Sequence, residues 1–149
     1  MHRDRVAEKV RELEAVCRRK GVPVTVQRRA VLEAVVERDD HPTADQVIEV
    51  VRRRVPGVSR TTVYRVLDML ADTGLIRRLH HPGPAARFDG RTRRHHHLVC
   101  KKCNKVIDVE IAKLDRLVLP DVGAEGFEID DYSVHFVGTC AACRQAKGQ

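Results

Sequence analysis

Four of the five cysteines in this 149-residue chain stand in two pairs, Cys100-x-x-Cys103 and Cys140-x-x-Cys143, with 36 residues between them. Two such knuckles place four thiolates where they can close a tetrahedron around one Zn²⁺, with Zn–S near ~2.3 Å. Two disulfides are the alternative reading. The first residues, Met1-His2-Arg3-Asp4-Arg5, run into a charged periodic segment rather than an apolar signal core, so the expected compartment is the reducing cytoplasm, which disfavours disulfides. Lys101, Lys102, Lys105 and Arg144 flank the knuckles and offset the negative charge of a four-thiolate site. Cys17 lies at helical spacing beside Leu13 and Val16 and reads as a core thiol.

The second constellation is His95-His96-His97, with His41, Asp89 and Asp108 as outlying candidates. On an extended segment alternate side chains share a face, so His95 and His97 point one way and His96 the other. Two imidazoles with one or more carboxylates form a borderline N/O site suited to Fe²⁺, Mn²⁺, Zn²⁺ or Co²⁺. A solvated histidine patch is the competing reading. His80, His81 and His135 have no such context and are expected at the surface or in a wing.

Charge shows what these sites serve. Residues 1–94 carry 21 Lys+Arg against 13 Asp+Glu, whereas residues 95–149 carry 7 against 8, so all the excess of the +7 chain lies in the first part. A basic half gains affinity for a polyanion by releasing condensed counterions, which makes nucleic acid the natural partner. A polar-faced helix expected over about 59–74 narrows this to a double-stranded DNA operator. An Arg-rich composition without such a partner is the alternative. No apolar run approaches the ~20 residues of a membrane span.

The elements that must position these residues follow from periodicity and caps. Val6, Val10, Leu13 and Val16 or Cys17 predict a helix over about 4–20, ended by Gly21 and Pro23. Thr25 caps a second helix running to about Asp39, and Thr43 caps a third that ends by Pro56-Gly57. Ser59 begins a fourth, running to about Gly74, with Val63, Val66, Leu67 and Leu70 turned to the core. Its other face presents Arg60, Thr61, Tyr64, Arg65 and Asp68, a set of donors and a ring suited to base edges. Residues 75–79 and 86–88 flank His80-His81-Pro82-Gly83-Pro84 as a two-stranded wing.

Beyond a polar hinge at 89–94, strands are expected at 97–99 and 105–109, a short helix from Ile111 to about Leu119, and one long alternating strand from Phe127 to Val137. The expected fold class is therefore α+β. A winged-helix DNA-binding domain occupies 1–88, and a small, zinc-stapled α/β dimerisation and metal-sensing domain occupies 95–149. So small a fragment with a long apolar strand invites a second copy, and a C2 homodimer suits a reader of two half-sites.

His41-Pro-Thr-Ala-Asp45, Ser59-Arg-Thr-Thr-Val-Tyr-Arg-Val-Leu67, Gly74-Leu-Ile, Arg87-Phe-Asp89 and His95-His-His-Leu-Val-Cys-Lys-Lys-Cys103 with Cys140-x-x-Cys143 together resemble the ferric uptake regulator family over nearly the whole chain. The resemblance implies a metal-dependent DNA-binding repressor, not an enzyme. It implies a structural zinc site at Cys100, Cys103, Cys140 and Cys143, a regulatory site of His41, Asp89, His95, His97 and Asp108 linking the two domains, and DNA contact by Tyr64. Asp at both 89 and 108 resembles the peroxide-responsive branch, in which Fe²⁺ reacts with H₂O₂ and a ligand histidine is oxidised. Iron-responsive control, or zinc, manganese or nickel sensing, is the alternative within the family. Tyr132 and Arg94 stand where some members carry further ligands, so His96 and Asp115 are expected to lack co-ligands, and no third metal site is expected. A metal-dependent hydrolase built on the His/Asp cluster is the reading from another class. It is disfavoured because no additional general base stands beside the cluster.

Overall fold

The computed structural model describes residues 2–79, 83 and 85–146, and the chain divides into two compact units, Met1–Thr92 and Arg93–Gln149. His80, His81, Pro82 and Pro84, expected in the turn of the wing, lie outside the described residues. Among the described residues no helix is long and apolar enough to cross a membrane.

The first unit contains helices α1 (His2–Lys20), α2 (Val26–Val36), α3 (Ala44–Arg54) and α4 (Arg60–Asp72), then strands β1 (Arg77–Leu79) and β2 (Arg87–Asp89). Each of the three later helices starts where a hydroxyl satisfies an orphan N–H. Thr25 Oγ1 accepts from Arg28 N at 3.2 Å, and Ser59 Oγ accepts from Thr62 N at 3.0 Å. Thr43 forms a full capping box, accepting from Gln46 N at 3.3 Å while its own N–H donates to Gln46 Oε1 at 2.9 Å. Helix α1 stops at Gly21, whose φ of 65° supplies the left-handed turn that lets Val22 N reach back to the Cys17 carbonyl at 3.0 Å.

Helix α2 is the centre of this unit and packs against α1, α3 and α4. Leu13, Val31, Val35, Val47, Val51, Val63, Leu67 and Leu70 are fully buried in one cluster that also takes in Cys17, the core thiol expected from spacing. Each such aliphatic side chain contributes roughly 1.5–3 kcal/mol on burial. Strands β1 and β2 pair antiparallel, with Arg78 opposite Phe88, giving the winged helix its wing one or two residues away from the expected bounds. Asp89, expected at the head of the hinge, is the last residue of β2.

The second unit is a three-stranded sheet in the order β4-β3-β5, with β3 (His96–Cys100), β4 (Val106–Val109) and β5 (His135–Gly138). Strand β4 runs antiparallel and β5 parallel to the central β3. A short helix, α5 (Ala141–Gln145), covers the second Cys knuckle and was not foreseen. Two expectations are corrected. The helix from Ile111 to Leu119 is a single 3₁₀ turn at Leu114–Arg116, and the long strand from Phe127 is confined to His135–Gly138. Residues 127–134 alternate in sequence, but a strand requires a neighbour to receive its backbone bonds, and the ladder with β3 begins only at His135.

Gly90 follows β2 in a place where an added Cβ would lie 2.9 Å from Val36 Cα and 3.0 Å from Val36 Cγ2. The Cα belongs to helix backbone and cannot rotate away. Gly90→Ala should therefore destabilise the first unit by about 1–3 kcal/mol, read as a lower thermal midpoint at unchanged metal content. An unshifted midpoint would mean that β2 and α2 separate freely at this contact.

Candidate metal centres and DNA-reading helix

The four knuckle cysteines come together within the second unit. Their sulfurs all lie within 4.8 Å of one another, and Cys103 Sγ stands 3.8 Å from Cys140 Sγ. Thiolates around a tetrahedral ion at ~2.3 Å are themselves ~3.8 Å apart, whereas a disulfide requires ~2.05 Å. All four are free cysteines. The donor set thus fits Zn²⁺.

The turn after β3 gives the sulfurs unequal protonation. Backbone N–H groups aimed at Cys100, that of Cys140 first (3.4 Å), lower its thiol to about 6. Hydrogen bonding with Cys140, and then with Cys103, pushes the Cys143 thiol up to about 12.

The His/Asp residues form one set in each unit. In the first, His41 Nε2 lies 3.5 Å from Asp89 Oδ2, and both side chains are buried. Asp89 Oδ1 accepts from Arg91 N at 2.7 Å, which turns Oδ2 toward the imidazole. His41 itself adopts φ 57°, in the left-handed region. In the second unit, His95 Nε2 and His97 Nε2 lie 3.5 and 3.6 Å from Asp108 Oδ1. His97 and Asp108 are register partners across β3 and β4.

These separations exceed a good hydrogen bond and lie just beyond the ~3.0–3.4 Å at which two donors of one ion at ~2.1 Å stand. His95 Nδ1 donates to the Arg93 carbonyl at 2.7 Å, which puts the lone pair on Nε2, the nitrogen that faces Asp108. A backbone carbonyl holding the non-ligating ring nitrogen is the usual outer support of a metal-bound histidine.

His96 faces away from this set, as alternation along β3 requires, and is fully buried. Its Nδ1 accepts from Val134 N at 3.1 Å, so the ring proton sits on Nε2 and donates to Asp115 Oδ1 at 3.0 Å. Tyr132 stacks beside it at 6.3 Å, donates to the Leu114 carbonyl and carries Arg94 over its ring at 4.4 Å. Arg94 in turn pairs with Asp131 at 2.7 Å. His96 and Asp115 hold each other, and Tyr132 and Arg94 form a stacked, hydrogen-bonded group beside them. His135, expected at the surface, is half-buried on β5 with its ring 4.9 Å from that of His97.

Arg60, Thr61, Tyr64, Arg65 and Asp68 are all exposed along one face of α4, opposite buried Val63, Val66, Leu67 and Leu70. Arg60 bonds Asp45 of α3 at 2.6 Å and lies over the Tyr64 ring at 5.9 Å. Asp68 bonds Arg78 of β1, linking this helix to the wing. Asp45, Arg91 and the Arg93 carbonyl were missed as supporting groups. The Asp45 partnership alone had a sequence signal, an acidic residue in the first turn of the preceding helix.

An α1–α4 helical unit with a two-stranded wing, followed by a small sheet with paired Cys knuckles, defines a winged-helix regulator with a metal-binding companion unit. The ferric uptake regulator family matches residues 19–137, and the chain belongs to that family, whose members are dimeric, DNA-binding, metal-responsive transcriptional regulators and not enzymes. Among relatives, the peroxide-responsive repressor PerR of Staphylococcus epidermidis is 28% identical over 140 residues, 94% of this chain and 93% of its own. The ferric uptake regulator of Francisella tularensis, solved with iron, is 28% identical at a TM-score of 0.68, covering 83% of this chain and 96% of that one. The ferric uptake regulator Fur of Helicobacter pylori shares the fold at a TM-score of 0.76 and 17% identity, covering 93% of each chain.

The unequal thiols yield a pH test. Cys100 is a thiolate above pH about 6 and is protonated as pH falls through that value. Binding of Zn²⁺ or Cd²⁺ to the reduced, metal-free protein at pH 7.5 should release fewer than four protons, with Cys143 contributing one and Cys100 none. At pH 5 the Cys100 proton should join them. Buffer-dependent calorimetry counts these protons, and four at pH 7.5 would place Cys100 with ordinary thiols.

Proposed function

We propose that this chain is a metal-dependent, DNA-binding transcriptional repressor that responds to peroxide. In this reading Cys100, Cys103, Cys140 and Cys143 hold a structural Zn²⁺. His41, Asp89, His95, His97 and Asp108 hold one regulatory ion, Fe²⁺ or Mn²⁺ with Zn²⁺ also accepted, as the family resemblance implies. Residues 1–88 read DNA, 89–94 act as a hinge, and 95–149 sense metal and dimerise. The repressor works in the cytoplasm as a homodimer on an operator.

The observation that carries the regulatory reading is the backbone support around the donors. The Arg93 carbonyl fixes the tautomer of His95, and Arg91 N–H fixes the rotation of Asp89, so each turns its other polar atom toward the neighbouring donor, Asp108 or His41. An ion bound by residues of both units favours whichever arrangement brings its ligands together. Differential affinity for that arrangement sets how far the dimer shifts toward the DNA-competent form. Aspartate at both carboxylate positions and the peroxide-responsive relatives support peroxide as the signal. When bound, Fe²⁺ would supply one-electron chemistry toward hydrogen peroxide, with the imidazoles of His41 and His95 as the side chains within reach of oxidation. Loss of a ligand imidazole then weakens metal retention, and the operator is released. Leu98, Ile107 and Phe136 lie across neighbouring strands as exposed apolar register partners, a row suited to a second copy.

For DNA reading, the exposed face of α4 is the major-groove element. Tyr64→Ala or Arg65→Ala should weaken operator binding by about 1–3 kcal/mol with zinc content and dimerisation unchanged. Wild-type affinity in both variants would remove α4 from the interface.

Sensing is tested separately from folding. His95→Ala or Asp89→Ala should remain a zinc-containing dimer, yet Fe²⁺ or Mn²⁺ should no longer promote operator binding. Fe²⁺-loaded wild type exposed to H₂O₂ should gain the mass of one oxygen atom on a peptide carrying His41 or His95 and lose the operator. The Mn²⁺-loaded form should stay unmodified. An unoxidised Fe²⁺ form that keeps its operator would make iron-responsive control the better reading.

A further inference from the structure

His41 occupies the left-handed region at φ 57°, which is costly for a residue with a side chain and persists only where its surroundings enforce it. Wing strand β2 lies against this turn. Arg87 Nη1 donates to the His41 carbonyl at 3.0 Å and, more loosely, toward the Asp40 carbonyl at 3.5 Å. The next residue along, Phe88, donates its N–H to the Pro42 carbonyl at 2.9 Å, and Thr43 and Arg87 form an isolated antiparallel bridge.

The same strand carries Asp89, two residues on, so Arg87 and Asp89 leave β2 on one face. A single strand therefore brings both the carboxylate beside His41 and the guanidinium that ties down the His41 turn. Arg87 is only half-buried, and Phe88 between them anchors the strand in the core.

We propose that Arg87 is a positioning residue for metal binding: its guanidinium fixes the left-handed turn at His41 and so keeps His41 Nε2 at ligand distance from Asp89 Oδ2. The proposal rests on His41 and Asp89 being ligands, as argued above. Arg87 touches no ligand atom itself, and its contacts are to main-chain carbonyls. Because β2 is also the second strand of the wing and Thr43 caps α3, which packs against α4, the clamp joins ligand geometry to the elements around the DNA-reading helix. Lysine retains the charge and a donor but not the planar fork, so it should replace arginine in part.

The experiment compares Arg87→Met, Arg87→Lys and His41→Ala as zinc-containing dimers. Mn²⁺ affinity is measured from free-ion electron paramagnetic resonance, and the His41 backbone from its HN–Hα coupling and Cα shift before Mn²⁺ is added. Arg87→Met should bind Mn²⁺ about 10- to 100-fold more weakly and show an altered His41 backbone signature, while Arg87→Lys restores much of both. Should Arg87→Met not fold, Arg87→Lys carries the test through a smaller loss of affinity paired with a shifted His41 signature. Wild-type Mn²⁺ affinity in the Arg87 variants, alongside a large loss in His41→Ala, overturns the clamp and leaves the ligand assignment standing. Wild-type affinity in His41→Ala overturns both.

Discussion

The second unit has very little apolar interior with which to hold itself. Among the described residues of 93–149, Val99, Cys100 and Val106 are the only buried apolar side chains, against 22 in the first unit. A fragment of this size without a core must be closed by covalent links, a metal or a partner. The four cysteines supply the means: they join the turn after β3 to the start of α5, across more than half of the unit's length. An ion bound there adds its binding free energy to the stability of the folded unit. The exposed row of Leu98, Ile107 and Phe136 marks where further burial is still to come.

That weakness also explains where polar groups are used in place of packing. Buried His96 donates to Asp115 and accepts from Val134, tying the 3₁₀ turn and the approach to β5 onto the central strand. Tyr132, with Arg94 across its ring and the Leu114 carbonyl at its hydroxyl, does the same from the other side. A hydrogen-bonded histidine whose both nitrogens are committed has no lone pair left for an ion. The His95–Asp108–His97 face and the His96 face of one strand thus do different work, and the alternation of β3 keeps them apart.

The first unit was legible because its signals are local. Thr25, Thr43 and Ser59 cap the helices that their sequence positions announce, and the apolar stripes of α1 to α4 became the buried faces. The knuckle spacing likewise encodes its own geometry. The second unit was less legible because its strands depend on pairing rather than pattern. Residues 127–134 alternate but have no ladder, and residues 111–119 have apolar spacing but too little to pack on, so only one 3₁₀ turn forms. Supporting roles played by backbone atoms, such as the Arg93 carbonyl on His95, leave no trace in side-chain identity at all.

The two sites place opposite demands on their surroundings. A structural thiolate site gains from ligands that are already charged. The main-chain N–H groups around Cys100 provide that for one sulfur by lowering its thiol to about 6, whereas hydrogen bonding with Cys140 and Cys103 pushes Cys143 up to about 12. A regulatory site must bind more weakly and reversibly, so its donors are better neutral imidazoles and short carboxylates aimed by backbone groups than a closed set of thiolates. In the first unit His41 and Asp89 meet because the left-handed turn and β2 hold them, and in the second His97 and Asp108 meet across β3 and β4, so each pair is conditional on backbone geometry. On the proposed assignment an ion on the four thiolates would hold a fold together, whereas an ion on the His/Asp donors would bind only where backbone geometry has already brought them into place. That division, if the proposed ligands hold, would let the second ion or one of its ligands be lost from a protein that stays folded, because the four thiolates share no residue with the His/Asp donors.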